Sequence, residues 1–318
     1  MFATIVKFST IAGFALAVQQ PLIPENAAEG SSQFSIGYYS LTMPARVEHV
    51  EGFAKRHNIT MNIVPGVVAK DLNETELQQT GQIRMHYCPP TIAVALAMGH
   101  RNALKAFLDS DHEFGLVFED DVVVSDNQKK LKAYGDRPLV AVLESLAATH
   151  KDQGWDYLNL GRCIDHCETQ VKLVETLEGT KSVSLVDSGN PMCANAYMVT
   201  RKGAKNLIAN TWPFYAPWDV MPMLMHRASS IGEFRMYSTT PRLFDQDREN
   251  QEDGFHSDKN PECCTKMANR FIGDSVSIIS KYSMVWGVQN LLSWQVDDIK
   301  CPAFVEGYDE SEEFSCTV

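Results

Sequence analysis

The sequence has no surplus of basic residues. Its 318 residues include 28 Lys and Arg against 40 Asp and Glu, a formal net charge of −12 at pH 7. Proteins that bind nucleic acid through its phosphate backbone need an excess of positive charge to displace counterions. The balance of charge therefore argues against a nucleic-acid partner. An acidic protein can still bind a phosphorylated ligand when a divalent cation lies between the two.

Internal repeats, heptad arrays and low-complexity blocks are also absent from the sequence. This excludes solenoid and fibrous architectures, which are built by repetition. The chain is 44% hydrophobic and 21% charged, which is ordinary for a globular protein and argues against general disorder. At this length the chain can bury a substantial core.

The N-terminus lacks a hydrophobic run long enough for a comfortable membrane span, which needs about 20 residues. Lys7 is the single charge in residues 1–20, residues 8–18 are apolar or small, and Ala15 and Ala17 have the spacing of a signal-peptidase site. We predict that residues 1–17 are a cleaved signal peptide, with an uncleaved short anchor or a buried first helix as alternatives. The predicted location is the secretory pathway (endoplasmic reticulum or Golgi lumen) or secretion, with membrane contact only if the leader remains.

Cysteine usage and glycosylation signals agree with that location. The even count of eight cysteines predicts disulfides, whose pairing the sequence leaves open. Cys163 and Cys167 have no second pair at zinc-ligand spacing, so we interpret them as structural. Asn58 and Asn73 each begin an Asn-X-Thr acceptor signal for N-glycosylation.

The distribution of residues predicts one large domain with flanking segments. Residues 18–32 form a predicted linker that contains two prolines, residues 33–260 form the main domain, and residues 261–318 form an appendage with half of the cysteines. Within the main domain, residues 34–41, 61–64, 115–118, 155–160 and 194–199 have the pattern of strands. Residues 91–108 have apolar side chains at helical spacing, and Thr200 is a predicted cap for a helix over residues 201–208. This alternation predicts an α/β domain with a largely parallel sheet, whose ligands bind beyond the carboxyl ends of the strands.

Three consecutive carboxylates, those of Glu119, Asp120 and Asp121, stand between two apolar segments. They repel one another and are costly to bury without compensation. A Mg²⁺ or Mn²⁺ ion, which prefers hard oxygen ligands, would provide that compensation and bridge to a diphosphate. A solvent-exposed acidic turn is the alternative.

Several segments together resemble glycosyltransferase family 25, which includes bacterial lipooligosaccharide and animal procollagen galactosyltransferases. TIAVALAMGH at residues 91–100 and LVFEDDV at residues 116–122 resemble the family's central block. Residues 155–161, 194–204, 217–219 and 241–246 resemble later segments in the family's order, so that the resemblance covers residues 34–257.

This resemblance implies a GT-A fold, an α/β fold with a Rossmann-like, mixed and mostly parallel sheet flanked by helices. It also implies an inverting transferase that moves a hexose, often galactose, from a UDP-sugar to a glycan, glycoprotein or hydroxylated peptide with the help of Mn²⁺ (or Mg²⁺). On the acidic motif, Asp121 is the expected metal ligand, Glu119 is expected to reach the metal or the ribose, and Asp120 is expected near the donor. After its first strand the family shows an Asn-Leu pair and two basic residues, of which this chain keeps Leu41 and Arg46 as candidate donor contacts.

An inverting transfer requires a base that takes the proton of the acceptor hydroxyl. Our candidate is Asp219, at the start of a predicted helix after an aromatic stretch over residues 213–218 that is suited to stacking on the acceptor; helix capping is its alternative role. Asp187 is the competing base. His256 is a candidate third metal ligand, while His100, on an apolar helix face, reads as a hydrogen-bonded core residue. A transferase-like glycan-binding module without catalysis is the alternative function, and a metal-dependent hydrolase lacks a supporting histidine cluster.

Overall fold

The computed structural model describes residues 34–84, 91–125, 132–135, 137–162, 171–174, 177, 180, 183–188, 191, 193–228 and 233–247. The predicted leader, linker and appendage lie outside these residues, as do His256 and all cysteines except Cys193. Among the described helices, none is both long enough and apolar enough to cross a membrane.

Strands and helices follow one another along the chain. The strands are β1 (Ile36–Thr42), β2 (Met61–Pro65), β3 (Phe114–Glu119), β4 (Val122–Val124), β5 (Tyr157–Asn159), β6 (Val171–Val174), β7 (Ser184–Asp187), β8 (Ala196–Thr200), β9 (Met236–Thr240) and β10 (Phe244–Gln246). The α-helices are α1 (Val47–His57), α2 (Glu74–Gln79), α3 (Thr91–Leu108), α4 (Leu139–Ala148), α5 (His150–Gln153), α6 (Arg201–Asn210) and α7 (Val220–Ala228). Short 3₁₀ turns span Pro44–Arg46 and Ala69–Asp71.

Eight strands form the central sheet, in the order β2-β1-β3-β8-β5-β9-β7-β6. Strand β1 is parallel to β2 and β3, and β5 is parallel to β9. Strands β8 and β7 are antiparallel to both of their neighbours and thus oppose the direction of the other six. The predicted α/β fold, with a mixed and mostly parallel sheet and flanking helices, is confirmed.

Alternating side chains of the sheet supply two separate hydrophobic cores. Val117 and Tyr197 face a core shared with α3, α6 and α7. Phe118 and Met198 point to the opposite face, where they join side chains of α1 and α4. This is the period of two expected of strands covered on both faces, and each fully buried large apolar side chain stabilises the fold by roughly 1.5–3 kcal/mol.

Helix α3 lies close against the sheet and has the bounds that its apolar spacing predicts. A Cβ added at Gly99 would lie 3.1 Å from Cδ1 of Leu41, so glycine allows α3 to approach β1 closely. The next residue, His100, is fully buried. The predicted cap of α6 is also confirmed, because the Thr200 hydroxyl accepts a hydrogen bond from the Gly203 amide at 2.9 Å.

A two-stranded ribbon returns the chain to the end of β3. Strand β10 pairs with β4 in antiparallel register, which places Gln246 opposite Val122. The amide of Asp247 then donates to the carbonyl of Asp121 at 2.7 Å. The ribbon therefore brings residues 246–247 next to the acidic triplet, more than 120 positions away along the chain.

Candidate functional site

The acidic triplet lies at the carboxyl end of β3. Glu119 is the last residue of that strand and is in register with Leu41 of the neighbouring parallel strand β1. Asp120 and Asp121 form the turn into β4. This is the edge of an α/β sheet at which ligands bind.

A cavity of ≈ 170 Å³ opens beside this edge. It is lined by Ala93, Leu96, Glu119, Cys193, Ala194, Pro217, Trp218, Asp219 and Gln246. The cavity thus brings together Glu119 and Asp219, two residues singled out on different grounds and separated by a hundred positions in the sequence. Its walls come from α3, the end of β3, the segments before β8 and α7, and β10.

The carboxylate of Glu119 has a neutral partner on each oxygen. His100 Nε2 lies 3.3 Å from Oε1, and the side-chain amide of Gln246 donates to Oε2 at 3.2 Å. Burial first, and the charge of Asp120 second, raise the pKa of Glu119 to about 7, against the hydrogen bond from Gln246. Two directed contacts therefore hold a carboxylate that is costly to ionise on its own.

The other two carboxylates of the triplet are perturbed in the same direction. Burial, followed by the charges of Glu119 and Asp120, raises the pKa of Asp121 to about 7. Burial also raises the pKa of Asp120, opposed by a 2.8 Å hydrogen bond from the Met43 amide and by the charge of Arg46. The triplet is thus a partly buried concentration of negative charge rather than the exposed acidic turn of the alternative interpretation.

The donor set of the triplet fits a hard divalent cation in part. The amide of Gln246 donates to both Glu119 and Asp121, at 3.2 and 3.4 Å, so an oxygen of each carboxylate lies next to the same amide nitrogen. Carboxylate oxygens are the ligands that Mg²⁺ and Mn²⁺ prefer. Within the described part of the chain, no group of three or more His, Cys, Asp or Glu side chains is arranged to hold a metal ion. Two protein ligands suit an ion that takes its remaining ligands from substrate phosphate and water.

Asp219 also lines the cavity and lies immediately before α7. Burial, and then the charge of Glu119, raise its pKa above the usual value, while hydrogen bonds from the backbone amides of Cys193 and of Asp219 itself lower it. Cys193 is disulfide-bonded and has a left-handed φ of 67°, a conformation that its surroundings must stabilise in a non-glycine residue. A carboxylate that is more basic than usual and faces a cavity is suited to accept a proton.

The sequence matches a known protein family. A model of glycosyltransferase family 25 (LPS biosynthesis protein) matches residues 39–222, more than half of the chain. The chain belongs to glycosyltransferase family 25. The family supports glycosyl transfer from a nucleotide-sugar donor to an acceptor, and the predicted GT-A-like fold is consistent with it. No curated protein matches the chain in sequence.

Two solved structures are similar at low identity. A glycosyltransferase involved in the glycosylation of the major capsid of PBCV-1 is 12% identical, over 74% of this chain and 99% of its own, with a TM-score of 0.35. The A197 protein from STIV is 13% identical, over 64% of this chain and 81% of its own, with a TM-score of 0.34. At these scores the two structures add nothing to the family assignment.

The structure places the other predicted site residues of this family 25 member, which do not line the cavity, in different surroundings. Leu41 is 7% exposed and packs on Gly99 in the core, while Arg46 is partly exposed and close enough to lower the pKa of Asp120 and Asp121. Asp187 ends β7, four strand positions from β3, a lateral separation of about 19 Å at ~4.8 Å per strand. The structure therefore brings Glu119, Asp121 and Asp219 together and leaves Asp187 elsewhere; His256 lies outside the described residues.

Sequence reasoning missed two cavity side chains and the role of a third residue. In the sequence, Gln246 only ends the family-like segment 241–246, whereas in the structure its amide joins the two carboxylates. Trp218 was grouped with the aromatic stretch, but it is buried and stacks on His100 at 5.1 Å between ring centroids and 6° between ring planes. His100 is the hydrogen-bonded core residue that was predicted, and its partner proves to be Glu119. The presence of a histidine within an apolar helix face was the available signal.

Proposed function

We propose that the chain transfers a hexose, in our first choice galactose, from a UDP-sugar to a hydroxyl of a glycan or hydroxylated peptide, with inversion at the anomeric carbon. The observation that carries the proposal is the cavity that Glu119 and Asp219 both line. It joins a cluster of carboxylates suited to a cation–diphosphate contact with a separate carboxylate, that of Asp219, whose pKa is also raised and which is suited to proton transfer. Family membership supports the same reaction class.

The volume of the cavity suggests which part of the donor it holds. At ≈ 170 Å³ it is smaller than the ~300–1,000 Å³ of pockets that enclose whole ligands. We assign the transferred sugar to this space and the diphosphate to the side of Glu119 and Asp121. Arg46, partly exposed beside the triplet, then faces the phosphates.

In the proposed step, the Asp219 carboxylate removes the proton of the acceptor hydroxyl. The oxygen of that hydroxyl attacks the anomeric carbon as the bond from that carbon to the UDP oxygen breaks, so UDP leaves with the electron pair. The raised pKa of Asp219 favours this proton transfer. Bound Mn²⁺ or Mg²⁺, held by Asp121 and Glu119, would neutralise charge on the departing diphosphate.

The acceptor side is proposed to be the segment that leads to Asp219. Trp212 is partly exposed, with the Arg101 guanidinium 5.0 Å from its ring centre. Tyr215 is half-buried, and Arg84 lies 4.6 Å from the centre of its ring. Each ring therefore has a guanidinium over it, which combines apolar aromatic area with hydrogen-bond donors. This combination suits a sugar, which presents both an apolar face and hydroxyls.

We also retain the secretory location as a proposal. Asn58 and Asn73, the two glycosylation signals, both lie at exposed positions. Glycan attachment at these sites in secretory cells, detected as a mobility shift removed by an amidase, would support it. Absence of glycan at both sites, with the protein retained in the cytosol, would contradict it.

The test is a donor screen on the purified protein. Nucleotide release from UDP-galactose, UDP-glucose and their N-acetyl forms is measured with Mn²⁺ or with a chelator, for wild type, Asp219→Asn and the surface control Asp109→Asn. We expect one preferred donor, dependence on the metal, and loss in Asp219→Asn alone. Donor binding without turnover across a panel of glycan and hydroxylysine-peptide acceptors would favour the glycan-binding alternative, and no donor binding would refute the proposal.

A further inference from the structure

His100 occupies an unusual place for a polar side chain. It lies in the middle of α3, on the helix face that packs against the sheet, and its side chain is 0% exposed. Burying an imidazole without partners is costly, so both ring nitrogens require hydrogen-bond partners.

Both nitrogens have partners, and these partners determine the tautomer. The Tyr197 hydroxyl lies 3.3 Å from Nδ1, and Glu119 Oε1 lies 3.3 Å from Nε2. When the Glu119 carboxylate is ionised it only accepts hydrogen bonds, so in that state Nε2 carries the proton and donates to Glu119. Nδ1 then accepts from Tyr197. The ring is completely buried, which disfavours the charged imidazolium and favours a neutral ring with one N–H.

The flat face of the same ring touches the other half of the site. Trp218 stacks on it nearly in parallel, and Trp218 directly precedes Asp219. One imidazole therefore contacts Glu119 through its edge and the indole next to Asp219 through its face. Glu119, Trp218 and Asp219 all line the cavity, whereas His100 does not.

We propose that His100 is a positioning residue: its Nε2–H orients the Glu119 carboxylate toward the donor, and its ring face sets Trp218 and hence Asp219 at the correct separation from it. This inference rests on the proposed function. Packing alone does not require the arrangement, because a leucine or phenylalanine fills space in an apolar helix face without the cost of burying a polar ring.

The first test is a double-mutant cycle read by donor affinity. His100→Phe keeps an aromatic ring against Trp218 but removes the hydrogen bond to Glu119, and we expect the donor dissociation constant to rise about tenfold. In a Glu119→Gln background the same substitution should have little further effect, because two residues that act through one contact are not additive. Equal losses in both backgrounds would overturn the proposal and leave His100 a packing residue.

A matched control removes packing in the same helix. Leu104 is fully buried one turn further along α3 and lies outside the cavity lining. Leu104→Ala should lower thermal stability at least as much as His100→Phe and leave the donor dissociation constant within twofold of wild type. A tenfold loss of donor affinity in Leu104→Ala would also overturn the proposal, since general loosening of α3 would then explain the result.

The second test needs no donor, so it distinguishes failure of this inference from failure of the proposed function. The ¹⁵N shifts of the His100 ring, assigned by their loss in His100→Phe, should report the neutral Nε2–H tautomer in wild type and change in Tyr197→Phe. The Nδ1–H tautomer in wild type would refute the inference whatever the donor screen shows. Wild type that binds no donor but has the expected tautomer would refute the proposed function, and with it the positioning role.

Discussion

Within the described part of the chain, two imidazole–carboxylate contacts of nearly equal length lie in very different surroundings. His100 lies 3.3 Å from Glu119, with 0% and 15% of the two side chains exposed. His226 lies 3.1 Å from Asp187, with 17% and 35% exposed. Distance alone would rank the second pair as the better site, and Asp187 was a candidate base from sequence.

The surroundings reverse that ranking. His226 Nδ1 accepts a hydrogen bond from the Met236 amide at 3.3 Å, and this bond joins α7 to β9. The contact between His226 Nε2 and Asp187 joins α7 to β7 as well. The Glu119 pair borders a cavity, a second carboxylate and a stacked indole. We infer that the first pair serves chemistry and the second serves the packing of α7 on the sheet.

The largest expected effect belongs to Asp219. Asp219→Asn removes the proposed base while keeping the shape of the side chain, and we expect the turnover rate to fall roughly 10²–10⁴-fold with donor affinity little changed. Turnover with saturating donor and acceptor, together with donor titration, measures both quantities. Full turnover in this variant would show that another group is the base. The carboxylate of Asp219 beside the Glu119 pair would then no longer distinguish that pair from the Asp187 pair.

The next effect concerns the metal. Asp121→Asn keeps a hydrogen-bonding oxygen but removes a charge from the proposed cation contact, and we expect the Mn²⁺ concentration for half-maximal activity to rise roughly 10–100-fold. Activity is measured across a Mn²⁺ titration after treatment with chelator. A wild-type enzyme with full activity in chelator would show that the triplet serves the donor without a cation.

A smaller change should follow from loss of the amide that joins the carboxylates. Gln246→Leu removes the donor to both Glu119 and Asp121, and we expect metal or donor affinity to weaken about tenfold. Gln79→Leu, at an exposed position of α2, is the control for a surface glutamine-to-leucine change. Equal behaviour of the two variants would mean that the β4–β10 ribbon contributes only structure.

The smallest effect on activity is expected at the second pair. Asp187→Asn weakens a partly exposed contact, so turnover should remain within about twofold of wild type while stability falls by roughly 1 kcal/mol, a shift of ~2–4 °C in Tm for a domain of this size. Thermal unfolding and turnover, both measured on one preparation, give the change in stability and the change in activity. A hundredfold loss of turnover would return Asp187 to the list of candidate bases.

Elements with a local signal could be predicted from the sequence. Helix α3 has the predicted bounds because its apolar residues recur at helical spacing, and Thr200 caps α6 because a hydroxyl before a helix satisfies a free amide. Strands β6, β7, β9 and β10 were not predicted, and neither was α4. The helix α4 does carry an apolar stripe, since Leu139, Val142, Leu143, Leu146 and Ala147 are buried at helical spacing. That signal was available in the sequence and was not used.

The site itself was predictable only in part, for a related reason. The acidic triplet is visible because its residues are adjacent, and Asp219 because it follows a distinctive aromatic stretch. The contacts that complete the cavity join distant positions, such as Gln246 with Glu119, and depend on which strands become neighbours. That information lies in the sheet register, which periodicity within one segment cannot report.

The hydrogen bond from the Asp247 amide to the Asp121 carbonyl has a practical consequence for engineering. A shortened version that ends before residue 248 must keep the whole β4–β10 ribbon, since cutting within β10 would remove Gln246 or its tether from the acidic turn. By the same geometry, a fluorophore attached at Asp247 itself would lie beside the acidic turn, where its emission would give a direct optical record of a ligand that binds there.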